Sequence, residues 1–320
     1  MANTQNSEIK LPKAYQIDIF PESVELLIPD FEPPPPLRVG RALALRKRNC
    51  REWYDEFIDK IVAACGNEFL PVCRMSDGEF LFLLGEQPID KRIPFLPRLK
   101  LFISRLKQNF LSRGEISALT QGHYHSGQYS AEEWRQARSE LPEAVRALSK
   151  KGVIAWHLDF TDKPFAECYF PALSEWMKKN NITVNDNNYY PFYFVYAMLT
   201  DSRRGELFKN RRVLVVNGAQ GETKQKIIDG LKREGVSEVY WCAISSMRSL
   251  YDTIDIAPFI GKVDFAVVGA GIGKANIMLQ MEALNVPCID AGFIFEVWKD
   301  PQNRGARPYT VCNSDLEKEQ

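Results

Sequence analysis

The chain has 320 residues, 45% of them apolar and 12% aromatic, which excludes a disordered chain and supplies the core of one large domain or two smaller ones. Lys and Arg together number 41, as do Asp and Glu, so there is no overall pull toward nucleic acid or an anionic membrane. Seven cysteines, an odd number with no CxxC pair, suit buried thiols in a reducing compartment and not a disulfide framework or zinc ribbon.

The N-terminal stretch "MANTQNSEIKLPK" lacks the apolar segment of a signal peptide. No apolar run reaches the 18 or so residues of a membrane-spanning helix. A cytoplasmic protein without a membrane span is expected. Residues 1–40 read as an arm: Pro33 to Pro36 favour an extended polyproline spacer, and the short apolar pieces before it could pack on the body. A main domain is expected over 41–305 and a tail over 306–320. From Leu43 the spacing of Trp53, Phe57, Ile58 and Ile61 predicts a helix. "FLPVCR" reads as a buried strand, and Leu99, Phe102, Leu106 and Phe110 mark an amphipathic helix. Ser130 and Glu133 form a capping box at the start of another, which Pro142 is expected to break or restart.

Beyond residue 150 the alternation is plainer. "GVIAWHL", "ITVND", "RRVLVVNG", "EVYWCAI", "VDFAVVG" and "PCIDAG" read as strands. Between them lie helices in "FAECYFPALSEWMKKN", "YPFYFVYAML", "GETKQKIIDGLKREG" and "KANIMLQMEALN". Strands apolar throughout and alternating with helices predict an α/β fold: a Rossmann-like, mostly parallel sheet with helices on both faces. Such sheets take ligands at the carboxyl ends of their strands.

Polar residues and glycines collect at those predicted ends. Asn217-Gly218 follow one strand, and Asn188 closes a run of four Asn and Asp residues. Gly269, Gly271 and Gly273, followed by Lys274, could offer backbone amides and an ammonium to a phosphate, or simply form a tight turn. The dinucleotide fingerprint would need a glycine at Lys274, and no Walker sequence follows. In "RMSDGEF", Asp77 and Glu79 are spaced to share one face at a strand end, with Gly78 allowing a sharp turn and Arg74 a bidentate contact. Such a pair is either a surface turn or a seat for one hard divalent cation carrying diphosphate. His125, with His123, is a candidate substrate contact, and Asp159 a candidate base or helix cap.

The same residues carry a resemblance. "RMSDGEF" resembles the R-aromatic-G-D-G-E signature of the GT-D glycosyltransferase family, and "VDFAVVGAGIGKANIMLQMEALNVPCIDAGFIFEVW" resembles its C-terminal end, with Asp290 and Gly292 on matching positions. Met75 and Ser76 stand where the family has an aromatic residue and a glycine, and Phe293 where a histidine is common. The resemblance implies a GT-D-type fold and a metal-dependent hexosyl or pentosyl transferase that moves a sugar from a nucleotide-diphosphate donor, a UDP-sugar by preference, to an acceptor hydroxyl. It implies Mn²⁺ or Mg²⁺ held by Asp77 and Glu79, with Glu79 acting directly or through water. Arg74 would position phosphate or the acids, the Gly269–Gly273 loop would supply amides, and Asp290 would contact donor or serve as base. The acceptor stays open among surface glycan, glycoprotein and modified nucleic acid, as does a homo-oligomer. Two other readings stand beside it: a Rossmann enzyme using NAD(P) or S-adenosylmethionine, and a non-catalytic module binding carbohydrate or a partner.

Overall fold

Strands apolar on both faces have to be covered on both faces, and the computed structural model shows how. It describes residues 19–27, 38–84, 129–158, 163–246 and 248–302. A hairpin comes first, β1 (Glu22–Leu27) antiparallel to β2 (Arg38–Ala44), with a bulge between Glu25 and Leu27. Then follow α1 (Cys50–Ala64), β3 (Leu70–Met75), α2 (Asp77–Leu84), α3 (Ala131–Lys151), β4 (Val153–Trp156), α4 (Lys163–Lys179), β5 (Tyr189–Pro191), α5 (Phe192–Thr200) and α6 (Arg204–Phe208). The second half continues with β6 (Arg212–Asn217), α7 (Gly221–Arg233), β7 (Glu238–Ala243), β8 (Phe265–Gly269), α8 (Lys274–Gln280), β9 (Pro287–Asp290) and α9 (Ile294–Lys299).

Seven of the strands form one sheet in the order β5-β4-β3-β9-β8-β6-β7, and every pairing in it is parallel. β3, β4, β5 and β9 are buried along their whole lengths. The helices fall into two groups that touch within themselves: α2, α3, α4 and α8 in one, α1, α5, α6, α7 and α9 in the other. Right-handed crossovers that run in opposite directions along a sheet put helices on opposite faces, which makes these groups the two covering layers. The fold is α/β and Rossmann-like. Among the described residues no helix is long and apolar enough to cross a membrane. Cys50, Cys65, Cys73, Cys242 and Cys288 are buried and unbridged.

Several expectations change. β2 runs through residue 40, the expected end of the arm, and carries Leu43 and Ala44; α1 starts only at Cys50, where Asn49 accepts the backbone N–H groups of Arg51 and Glu52. Pro142 does not interrupt α3, which is continuous from Ala131 to Lys151. Proline removes one intrahelical bond, and here the buried side chains of Trp134, Leu141, Val145 and Leu148 hold the helix on either side of the gap. "ITVND" forms no strand; Asn185 to Asn188 build a turn instead, and β5 starts at Tyr189. The polyproline run, the helix expected around Leu99 to Phe110, His123, His125, Asp159 and the tail lie outside the described residues.

Candidate functional site

β3 ends at Met75, and Ser76 caps the helix that follows. Glu79, third residue of α2, accepts the Ser76 backbone N–H on Oε2 at 3.0 Å. This is the returning half of a capping box, and acidic groups in a first turn also suit the helix dipole. The stretch is therefore a helix start, and the strand-end geometry expected for Asp77 and Glu79 does not hold. Residues two apart in a helix diverge by about 200°, so the pair does not share a face through strand alternation. Gly78 sits inside the helix and makes no sharp turn. The backbone of Asp77 begins α2, while its side chain lies outside what the structure describes.

Arg74, still in β3, reaches the C-terminal end of the neighbouring strand β9. It donates Nε–H to the backbone carbonyl of Asp290 and Nη2–H to Asp290 Oδ1, both at 2.8 Å. Asp290 Oδ2 lies 2.8 Å from Lys274 Nζ, and the same ammonium lies 2.7 Å from Glu79 Oε1. Two cations and two anions thus form one chain, Arg74–Asp290–Lys274–Glu79, with Arg74, Lys274 and Asp290 each 4% exposed or less. Burial disfavours charge at Asp290, but Arg74 and Lys274 together hold its carboxyl below the usual carboxylate range. Burial pulls the Lys274 ammonium down too, and Asp290 and Glu79 more than reverse this, leaving it above its ordinary value. The guanidinium of Arg74 lies under α5, 4.1 Å from the ring centre of Tyr196 and 5.1 Å from that of Phe192.

Gly292 explains itself in this setting. Its φ is +45°, and a Cβ there would lie 1.7 Å from Arg74 Nη2. Only glycine lets the chain turn beside Asp290 and leaves room for the guanidinium. The other glycines also serve packing. A Cβ on Gly269 would meet Asn217 and Phe295, one on Gly273 the backbone of Ser249, and one on Gly218 the backbone of Ser246. Room at these positions is filled by protein. Gly271, with φ +51°, is the half-exposed corner of the loop.

Half-buried residues flank the network. His157, just past β4, is half-buried; Ser76 Oγ lies 3.2 Å from its Nδ1 and Tyr193 OH 3.4 Å from its Nε2, with Phe192 stacked on the ring. Asn217, at the end of β6, donates Nδ2–H to the Gly269 carbonyl and accepts the Ala219 N–H. The predicted Arg74, Glu79, Lys274, Asp290 and Gly292 converge, and Asn217, Gly218, Gly269 and Gly271 line the same edge. Asn188 does not belong. It precedes β5, at the opposite end of the sheet, and its amide braces a turn by donating to the Ser149 and Thr183 carbonyls. Sequence reasoning missed His157, Tyr193 and Tyr196. "HL" after an apolar strand is a signal for the first, but nothing in "YPFYFVYAML" distinguishes its half-buried and guanidinium-facing tyrosines from core.

Of the pair expected to hold a divalent ion, only the Glu79 side chain is described, and both its oxygens are already engaged. Glu79 Oε1 faces Lys274 and Oε2 the Ser76 N–H, while both Asp290 oxygens are engaged by cations. Among the described residues no group of three or more His, Cys, Asp or Glu side chains is disposed to hold a metal.

No family model matches the sequence, and no curated protein matches it. A solved structure titled "Selenomethionine substituted structure of domain of unknown function 1792 (DUF1792)" aligns over 81% of this chain and 88% of its own, at 14% identity and a TM-score of 0.45. At that distance the likeness assigns neither activity nor residues.

Proposed function

We propose that the chain is a GT-D-like glycosyltransferase that takes a nucleotide-diphosphate sugar, UDP-linked by preference, at the C-terminal edge of its sheet. One observation carries this reading. The two sequence stretches that resemble the family, one around Arg74 and the other around Asp290, are 216 residues apart and meet through paired hydrogen bonds. A buried charge network costs stability unless every member is paired, and its place at the carboxyl ends of parallel strands is where functional groups gather. In this reading Arg74 and Lys274 fix the two carboxylates and so hold the strand ends that face the donor. Asp290, with both oxygens engaged and 2% exposed, positions these groups and does not take up a proton. Half-buried His157 is the group that receives the proton of the acceptor hydroxyl.

The test is release of nucleoside diphosphate from a panel of UDP-, GDP- and dTDP-sugars, with and without Mn²⁺. Turnover of one donor by the wild type is expected. It should fall roughly 10²- to 10⁴-fold in His157→Gln, with circular dichroism unchanged. Absence of turnover and of thermal stabilisation by every nucleotide sugar would sink the proposal, and stabilisation by NAD(P) or S-adenosylmethionine alone would favour a cofactor-binding Rossmann enzyme. The mutual pairing of the four charged groups favours one second reading, a non-catalytic carbohydrate-binding module. It predicts stabilisation by a sugar or sugar nucleotide without release of diphosphate.

A further inference from the structure

We infer that the Lys274 ammonium is the resident cation of the Glu79–Asp290 carboxylate pair and holds the seat a divalent ion would otherwise take. It bridges carboxylates from two separate elements, α2 and β9, at 2.7 and 2.8 Å. That is the arrangement by which a hard cation links acidic ligands from different parts of a chain. Each of the four carboxylate oxygens already faces a donor or a cation. Asp290 Oδ1 receives Arg74, Asp290 Oδ2 and Glu79 Oε1 receive Lys274, and Glu79 Oε2 receives the Ser76 N–H. The formal charges of Arg74, Lys274, Glu79 and Asp290 already sum to zero, so a dication added among them would face two buried positive groups and no uncompensated negative one.

The tether is built to keep the ammonium there. Lys274 opens α8 directly after Gly273, whose missing side chain lets the loop lie against the Ser249 backbone, 2.4 Å from where a Cβ would stand. Ser249 Oγ in turn donates to the Ala270 carbonyl at 2.6 Å, fastening the loop that delivers the lysine. A metal ion is exchangeable and chelatable, whereas a lysine fixed in this way is not. The cation that balances these two carboxylates then belongs to the chain itself. The inference is independent of the sugar-transfer reading, because its test reads ion binding and not turnover.

Mn²⁺ binding to the full-length chain, measured by electron paramagnetic resonance of the free ion at pH 8, decides the matter. Wild type and Glu79→Gln should bind Mn²⁺ alike, whether not at all or through groups elsewhere; glutamine keeps the cap contact, so this variant isolates the charge. Lys274→Ala leaves two buried carboxylates short of one cation. It should gain a Mn²⁺ site at least tenfold tighter than any in the wild type, and that site should vanish in the Lys274→Ala/Glu79→Gln double variant. Wild-type Mn²⁺ binding that is lost in Glu79→Gln would overturn the inference, as would a folded Lys274→Ala protein that gains no site. If Lys274→Ala does not fold, the comparison of wild type with Glu79→Gln still decides.

Discussion

Arg74 and Asp290 show what a buried charge demands of its neighbours. Removing one partner of a buried pair leaves the other uncompensated, at a cost of about 3–5 kcal/mol, and here Asp290 faces both Arg74 and Lys274. Asp290→Asn should therefore lower unfolding stability by about that amount in urea titrations. The pH dependence follows from the direction of the shifts. The folded Asp290 carboxyl lies below its unfolded value, so its contribution is present above about pH 4 and is lost as pH falls through the lower folded value. The folded Lys274 ammonium lies above its unfolded value, so its contribution is present below about pH 10 and is lost as pH rises through the higher folded value. Between those limits the network's share is flat. The wild type should lose stability on acidification below about pH 4 more steeply than Asp290→Asn does; equal acid slopes, or a cost under about 1 kcal/mol, would contradict a charged, mutually paired Arg74 and Asp290. Gly292→Ala should destabilise as well, because alanine meets both the positive φ and Arg74 Nη2.

Elements in this fold are held by contacts that local propensity misjudges. Gly230 lies in the middle of α7, where replacing glycine with alanine ordinarily stabilises by about 1 kcal/mol. A Cβ there would lie 2.1 Å from the Trp298 carbonyl oxygen on α9. Helix and helix meet backbone to side-chain-free backbone, so Gly230→Ala should reverse sign and destabilise by about 1–3 kcal/mol, read from the shift in thermal midpoint. Ser130→Ala, which removes the acceptor of the Glu133 N–H, should cost about 1 kcal/mol in the same assay. Sequence legibility divides along the same line. Six of the seven strands of the sheet announce themselves as short apolar runs, and α1 through Trp53, Phe57, Ile58 and Ile61, all of them buried; β5 does not, because the strand expected in "ITVND" is a turn and Tyr190-Pro191 reads as the start of a helix. The hairpin of β1 and β2 does not, since its strands are separated by the proline run and its pairing is antiparallel. The helix start at Ser76 carries the same S-x-x-E signature that is plain at Ser130. Apolar residues on both sides hide it, because they make the acids look like the end of a strand. That Arg74 binds Asp290 cannot be read at all. The contact depends on β9, the last of the described strands, inserting beside β3, and no local pattern encodes a strand order.

That order has a consequence for the whole molecule. The connection leaving β6 runs through α7 to β7, toward one edge of the sheet, while the connection leaving β8 runs through α8 to β9, toward the other. Adjacent strands whose connections part in this way open a crevice at their carboxyl ends, where open α/β sheets bind ligands. Here the crevice lies over the paired residues Asn217 and Gly269, joined by the Asn217 side chain. Asp290 is one strand away, in register with Val268. The charge network therefore flanks the crevice from the β9 side, and a nucleoside diphosphate seated there would touch the loops after β6 and β8 together. Amide hydrogen exchange tests this whichever sugar the donor carries. Saturating UDP should slow exchange at residues 218–221 and 270–273 and leave the turn at 185–188, on the opposite end of the sheet, unchanged. Protection centred on 185–188 would move the ligand to the amino ends of the strands and detach it from Arg74, Lys274 and Asp290 altogether.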